Sequence, residues 1–254
     1  APVFALNPTE FDKEQGASLV AQIRSETSHQ EEVGEGETAS TAPDEDAEDT
    51  REEKPLLGVV LQELEGDCEY KRSIASAADQ LVREGWEVLL LPFKYPADLQ
   101  VCQEVSWIMQ EPSLEFREKP SLDQLFSIFG QVDLLLGMRL PALIMASVMR
   151  KPCIGIALND KTAKFLEVIE QPKAVNLEDL DADSLYQLVI SVYEGKKEIS
   201  SHLDQVLTQL RQQSWESAGL ILSYFYSRFP HKRCDTSRTA GWGERQKASR
   251  TAHR

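Results

Sequence analysis

Histidine is scarce in this chain, and it avoids the places where catalysis is expected. The four histidines are His29 in an acidic stretch, His202 at the exposed start of the last helix, and His231 and His253 near the carboxyl end. Acid–base chemistry most often uses a positioned imidazole, so the ordered core offers no histidine base. Cysteine is sparse as well. Cys68, Cys102, Cys153 and Cys234 show no CxxC or Cys/His spacing, which speaks against a metal site or a redox pair. Reduced, buried thiols of a cytoplasmic protein are the expectation. The longest apolar run, Leu134 to Met149, is interrupted by Arg139, so no transmembrane helix is expected. No charged-then-apolar leader opens the chain, which begins at Ala1 in mid-pattern and reads as a fragment or processed product. GxGxxG, Walker, GxSxG and HExxH motifs are all missing. Paired carboxylates stand only in surface-like runs such as Glu178-Asp179 with Asp181, so glycosidase chemistry has no support.

What the chain has in excess is negative charge, −15 over 254 residues, and it is unevenly placed. Residues 26–54 carry a net −10, residues 231–254 a net +5, and residues 55–230 a net −9. The acidic stretch is almost free of apolar side chains and cannot offset its ordering entropy, so it is expected to be a disordered linker. The basic tail lacks an apolar period and is expected to be disordered too. A nucleic-acid partner would need a basic stripe on the folded part, and that part is acidic.

Between the two lies an alternating pattern. Residues 1–25 hold a short apolar entry and an expected helix over Glu10–Ile23. From Pro55 onward, strands are expected at 57–61, 87–91, 132–136 and 153–158, with a weaker one at 114–116. Helices are expected over 72–84, 98–109, 121–129, 141–149, 162–169, 183–193 and 198–226. Strands alternating with helices indicate right-handed crossovers, hence an α/β fold: a Rossmann-like parallel sheet with flanking helices over residues 55–230. Trp107 and Trp215 fall at helical spacings and read as packing residues.

Ligands of such sheets bind beyond the carboxyl ends of the strands. Gln62, Pro92-Phe93, Gly137-Met138-Arg139 and Asn159-Asp160-Lys161 stand there. Gly137 would admit a ligand to the backbone, the following helix offers N–H groups, and Arg139 supplies a forked cation, a set suited to phosphate or carboxylate. The same residues also describe a tight turn whose arginine pairs with a nearby acid. Lys161 beside Asp160 could neutralise a second anionic group, or be one half of a solvated pair.

The segment VDLLLGMRLPALIMASVMRKPCIGIALNDKTAKFL resembles the polysaccharide pyruvyl transferase family, whose members read GMRLH-A-L-I followed by a YDPKV-type stretch. The order PVFAL, GVVLQ, VLLLPFKYPADL, GMRL and DK…F is also that family's order. The similarity covers residues 56–226, with residues 1–6 resembling the end of the family's first domain, so that residues 1–25 read as a remnant of that domain. It implies a glycosyltransferase-B-like pair of domains, of which this chain holds the second. It also implies transfer of the carboxyvinyl part of phosphoenolpyruvate to a sugar of a cell-wall or extracellular polysaccharide, without a further cofactor. By resemblance Gly137, Arg139, Leu140, Asp98 and Lys161 would bind substrate, and either a separate chain supplies the missing first domain or the gene is split or decaying. Three positions depart from the pattern: Pro141 stands at the family's histidine, Gln62 at an arginine, and Asn159 at the aspartate of YDPKV. Proline suits the first helical turn but cannot transfer a proton, so the expectation is a kept fold with impaired chemistry.

Overall fold

Short runs of leucine and branched residues, buried on both faces, make the central strands. The computed structural model describes residues 6, 8–32, 54–64, 69–172 and 174–228. A short 3-10 turn at Pro8–Glu10 leads into α1 (Lys13–Glu32). Then follow β1 (Leu56–Val60), α2 (Glu69–Arg83), β2 (Glu87–Leu90), α3 (Ala97–Ile108), β3 (Leu114–Glu115) and α4 (Leu122–Phe129). The second half holds β4 (Leu134–Gly137), α5 (Leu140–Val148), β5 (Cys153–Ala157), α6 (Asp160–Val168), β6 (Val175–Asn176), α7 (Ala182–Glu194) and α8 (Lys196–Arg228). All six strands are parallel, in the order β3-β2-β1-β4-β5-β6. This is the doubly wound arrangement, which turns direction between β1 and β4.

Every residue of β1 and β4 is buried, as central parallel strands require. Their alternation divides the core in two. Leu57, Val59, Leu134 and Leu136 face α2, α3 and α7, whereas Leu56, Val60 and Leu135 face α1, α4, α5, α6 and α8. Residue identities also set the helix ends. Gly85 adopts φ +90° just past α2, a left-handed stop that suits glycine, and Ser121 with Gln124 closes a capping box on α4.

Three expectations need correction. The first helix does not stop at Ile23 but runs to Glu32, so residues 26–32 of the expected linker are helical. Val20 and Ile23 are buried in the core and Phe11 stacks on Phe126 with ring centroids 4.0 Å apart. Once anchored in this way, a helix propagates into polar sequence at little cost. Of residues 1–25, read as the remnant of another domain, Leu6, Phe11, Leu19, Val20 and Ile23 thus pack in or against this core. Second, β6 was not anticipated, because two residues carry no periodic signal. Third, Trp107 is 83% exposed and Trp215 is exposed too. Trp107 stands two residues beyond Val105 and so points away from the buried stripe of Val101, Cys102 and Val105. Beyond Leu207, α8 carries exposed Leu220, Ile221, Leu222 and Tyr224. The expected linker residues 33–53 and the tail 231–254 lie outside the described residues.

Candidate functional site

The change of winding direction places the ends of β1 and β4 side by side, and Met138 N–H donates to the Val60 carbonyl at 2.9 Å. Arg139, the next residue, is the N-cap of α5 and lies in the crevice where doubly wound sheets hold ligands. The guanidinium does not point freely into that crevice. Its Nε donates to Asp98 Oδ2 at 2.7 Å and its Nη2 to Asp98 Oδ1 at 2.5 Å. The Asp98 side chain is 0% exposed and Oδ2 accepts a further hydrogen bond from the Lys94 amide at 2.7 Å. Of the two readings of Gly137-Met138-Arg139, the arginine paired with a nearby acid is therefore the one realised in this structure. The Arg139 side chain keeps 19% of its surface exposed, and the guanidinium edge around Nη1 is not engaged by Asp98. A fork held on a buried carboxylate is a rigid cation with donors to spare.

The neighbouring residues narrow what the site can do. Gly137 closes β4, and a Cβ there would come within 3.0 Å of Leu143 Cδ2. Its missing side chain thus admits α5 rather than a ligand. Leu140 is partly buried and Pro141 exposed in the first turn of α5. Pro141 has no N–H, and the amides of Ala142 and Leu143 donate to the Arg139 carbonyl at 3.0 and 3.2 Å. That leaves the Leu140 amide to serve an anion. Lys161 is exposed at the second position of α6, and Asn159 caps that helix by accepting from the Lys161 amide at 3.0 Å. Asp98 and Arg139 are brought into contact by the fold. No hydrogen bond joins the Lys161 side chain to either of them among the described residues.

Two further features of this edge escaped the sequence reading. Lys71 of α2 is 4% exposed, and its ammonium lies 3.2 Å from both carboxylate oxygens of Glu63 and 2.5 Å from Glu104. Burial alone would lower its pKa. Glu104 and Glu63 outweigh burial and raise it. Beside it Tyr70 donates to the Gln62 carbonyl at 3.0 Å, and burial pushes its phenol up to about 12. Glu63 lies eight residues before Lys71 and Glu104 thirty-three after it, so only the tertiary fold assembles the cluster. Burial pushes the Cys153 thiol up to about 12 and raises that of Cys102, so neither is a thiolate nucleophile. His202 sits against Glu170 at 2.5 Å, remote from Arg139 in the fold. Among the described residues no group of three His, Cys, Asp or Glu is arranged to hold a metal ion. No helix there is long and apolar enough to cross a membrane.

Comparison with known proteins adds one family match. Residues 40–160 match the polysaccharide pyruvyl transferase family. The matched span runs from before β1 to the first residue of α6 and includes Asp98, Gly137, Arg139, Leu140 and Pro141, bearing out the resemblance seen in the sequence. Lys161 falls one residue beyond it. Among solved structures, the glycotransferase of kitacinnamycin is 12% identical over 72% of this chain and 46% of that one, with a TM-score of 0.48. The calicheamicin glycosyltransferase CalG4 is 14% identical over 73% and 44%, with a TM-score of 0.47. The S. aureus MnaA structure with UDP is 12% identical over 60% and 40%, also at 0.47. The chain thus covers less than half the length of these structures. No curated protein matches it in sequence.

Proposed function

We propose that this chain is the second-domain part of a polysaccharide pyruvyl transferase, acting on phosphoenolpyruvate and a saccharide acceptor in the cytoplasm. The observation that carries the reading is the family match over residues 40–160 together with Arg139 held at the switch point of the sheet. The Arg139 edge and the Leu140 amide would bind the carboxylate or phosphate of the donor. Two acceptor hydroxyls add to the central carbon of the enol, its methylene carbon takes a proton, and phosphate leaves, so that a pyruvate ketal remains on the sugar. The proton must come from a positioned acid. Pro141 cannot give one, and Lys71 is engaged by two carboxylates. The reading is therefore a transferase with impaired activity, working with a first domain that completes its cleft.

The test is release of phosphate from phosphoenolpyruvate, with a polysaccharide acceptor and with the product checked for a ketal by mass. Activity with nucleotide sugars instead would replace this reading with a glycosyltransferase one. A second reading, a non-catalytic anion-binding module, is favoured by Pro141 and by the engagement of Arg139 with Asp98. Binding of phosphoenolpyruvate without turnover would decide for it.

A further inference from the structure

Positive charge also gathers away from the carboxyl edge of the sheet. At the opposite edge, where β4 and β5 begin, an open cavity of about 550 Å³ lies between the starts of α1 and α8 and the end of α4. Lys13, Lys151, Lys196 and Lys197 line it, with Asp133 as its one acidic residue. Asp133 is already committed: Oδ2 accepts the Leu56 amide at 3.0 Å and Oδ1 the Lys196 ammonium at 2.8 Å. Arg150, also at the rim, pairs with Asp204. Lys13, Lys151 and Lys197 make no ion pair among the described residues. Three ammonium groups without an ion pair thus stand around one cavity, although residues 55–230 carry a net charge of −9.

We propose that this cavity binds a phosphate-bearing small molecule, one carrying at least two negative charges on a phosphate or diphosphate group. The size lies within the range of small-molecule sites. Lysines act as point charges converging on a multiply charged group, whereas a single carboxylate would leave most of them unmatched. Lys151 adds a second argument. It is only partly exposed, and burial lowers its pKa; Asp133 works against that, and Lys13 and Lys196 reinforce it. Its charge is thus held at a cost that an incoming anion would relieve. The site is independent of the function proposed above. Asp133 precedes Arg139 by six residues along β4, about 20 Å at the usual rise of a strand, and the two face opposite edges of the sheet.

Titration of the full chain with inorganic pyrophosphate, followed by calorimetry, tests the site. The variant carrying Lys151→Gln and Lys197→Gln is expected to bind at least about tenfold more weakly, the loss of one or more charge-assisted hydrogen bonds. Neither lysine holds an ion pair among the described residues, so circular dichroism should show the variant folded. A second variant, Lys119→Gln with Lys164→Gln, changes the net charge equally at remote positions and is expected to bind like the parent. Equal weakening in both variants would reduce the effect to net charge and overturn the proposal. So would unchanged affinity in the first variant, or no measurable binding of pyrophosphate by the parent at millimolar concentration.

Discussion

Arg139→Ala should unfold this domain far more readily than an exposed arginine would, because it strips the partner from a fully buried carboxylate. Asp98 has 0% side-chain exposure and receives two hydrogen bonds from the guanidinium and one from the Lys94 amide. Removing one partner of such a pair leaves an uncompensated charge and costs about 3–5 kcal/mol. Even the lower figure corresponds to a fall of roughly 6–12 °C in melting temperature for a domain of this size. Asp98→Asn should cost less, about 1–2 kcal/mol, since the partly exposed Arg139 can turn to water and keep its charge solvated. Replacing both, Asp98→Leu with Arg139→Met, removes the buried charge altogether and should recover most of the loss. The remaining deficit is the Lys94 amide, which then lacks its acceptor, about 1–3 kcal/mol if it stays dry. Urea unfolding of the four proteins at neutral pH measures all of this, provided the m values agree. A loss below about 1 kcal/mol for Arg139→Ala, or a double variant no more stable than that single one, would refute the claim that Asp98 is a buried charge held by Arg139.

Three other outcomes are expected. Gly16→Ala should destabilise despite alanine's better helix propensity, worth about 1 kcal/mol, because its Cβ would stand 2.3 Å from the Ser127 carbonyl and force α1 off α4; a rise in melting temperature would show that α1 does not pack there. Pro141→His, at an exposed first-turn position, should leave thermal stability almost unchanged and raise phosphate release from phosphoenolpyruvate in the presence of a complete first domain; a positioned acid is worth about 10²–10⁴-fold, and no gain would remove position 141 from the chemistry. The Lys71 ammonium, with Gln100, holds the Glu104 carboxyl below its ordinary 4.5. A depressed carboxyl pKa stabilises the fold above the unfolded value, and this stability is lost as pH falls through the folded one. Unfolding followed from neutral pH to below pH 4.5 should therefore show a steeper decline for the parent than for Glu104→Gln, and identical slopes would dismiss the linkage.

Local pattern was enough to reveal the α/β alternation. The runs at Leu57–Leu61 and Val132–Leu136 are apolar on both faces because central parallel strands are covered on both sides, and their bounds shift by only a residue or two in the structure. The glycine-to-arginine turn after β4 and its family resemblance were equally legible, since consecutive residues carry them. The end of α1 was not: charge density argued for disorder from residue 26, whereas anchoring of Val20 and Ile23 decides where the helix continues. Composition measures what a segment can bury by itself, and docking depends on what another segment presents to it.

The same division holds at the candidate site. The sequence by itself determined that Arg139 would follow a strand, that position 141 lacks a proton-transferring side chain, and that the chain would be wound as a parallel sheet. Only the tertiary structure decided that Arg139 forks onto Asp98, forty-one residues earlier, and that the Gly137 vacancy belongs to Leu143. It alone brought Glu63 and Glu104 to Lys71 and gathered four lysines from α1, α8 and the β5 approach around one cavity. Strand and helix periods act between neighbours a few residues apart and are written into the order of side chains. Charge pairing acts through space at a few ångströms, so its partners are named only when the sheet has set which strand ends lie side by side.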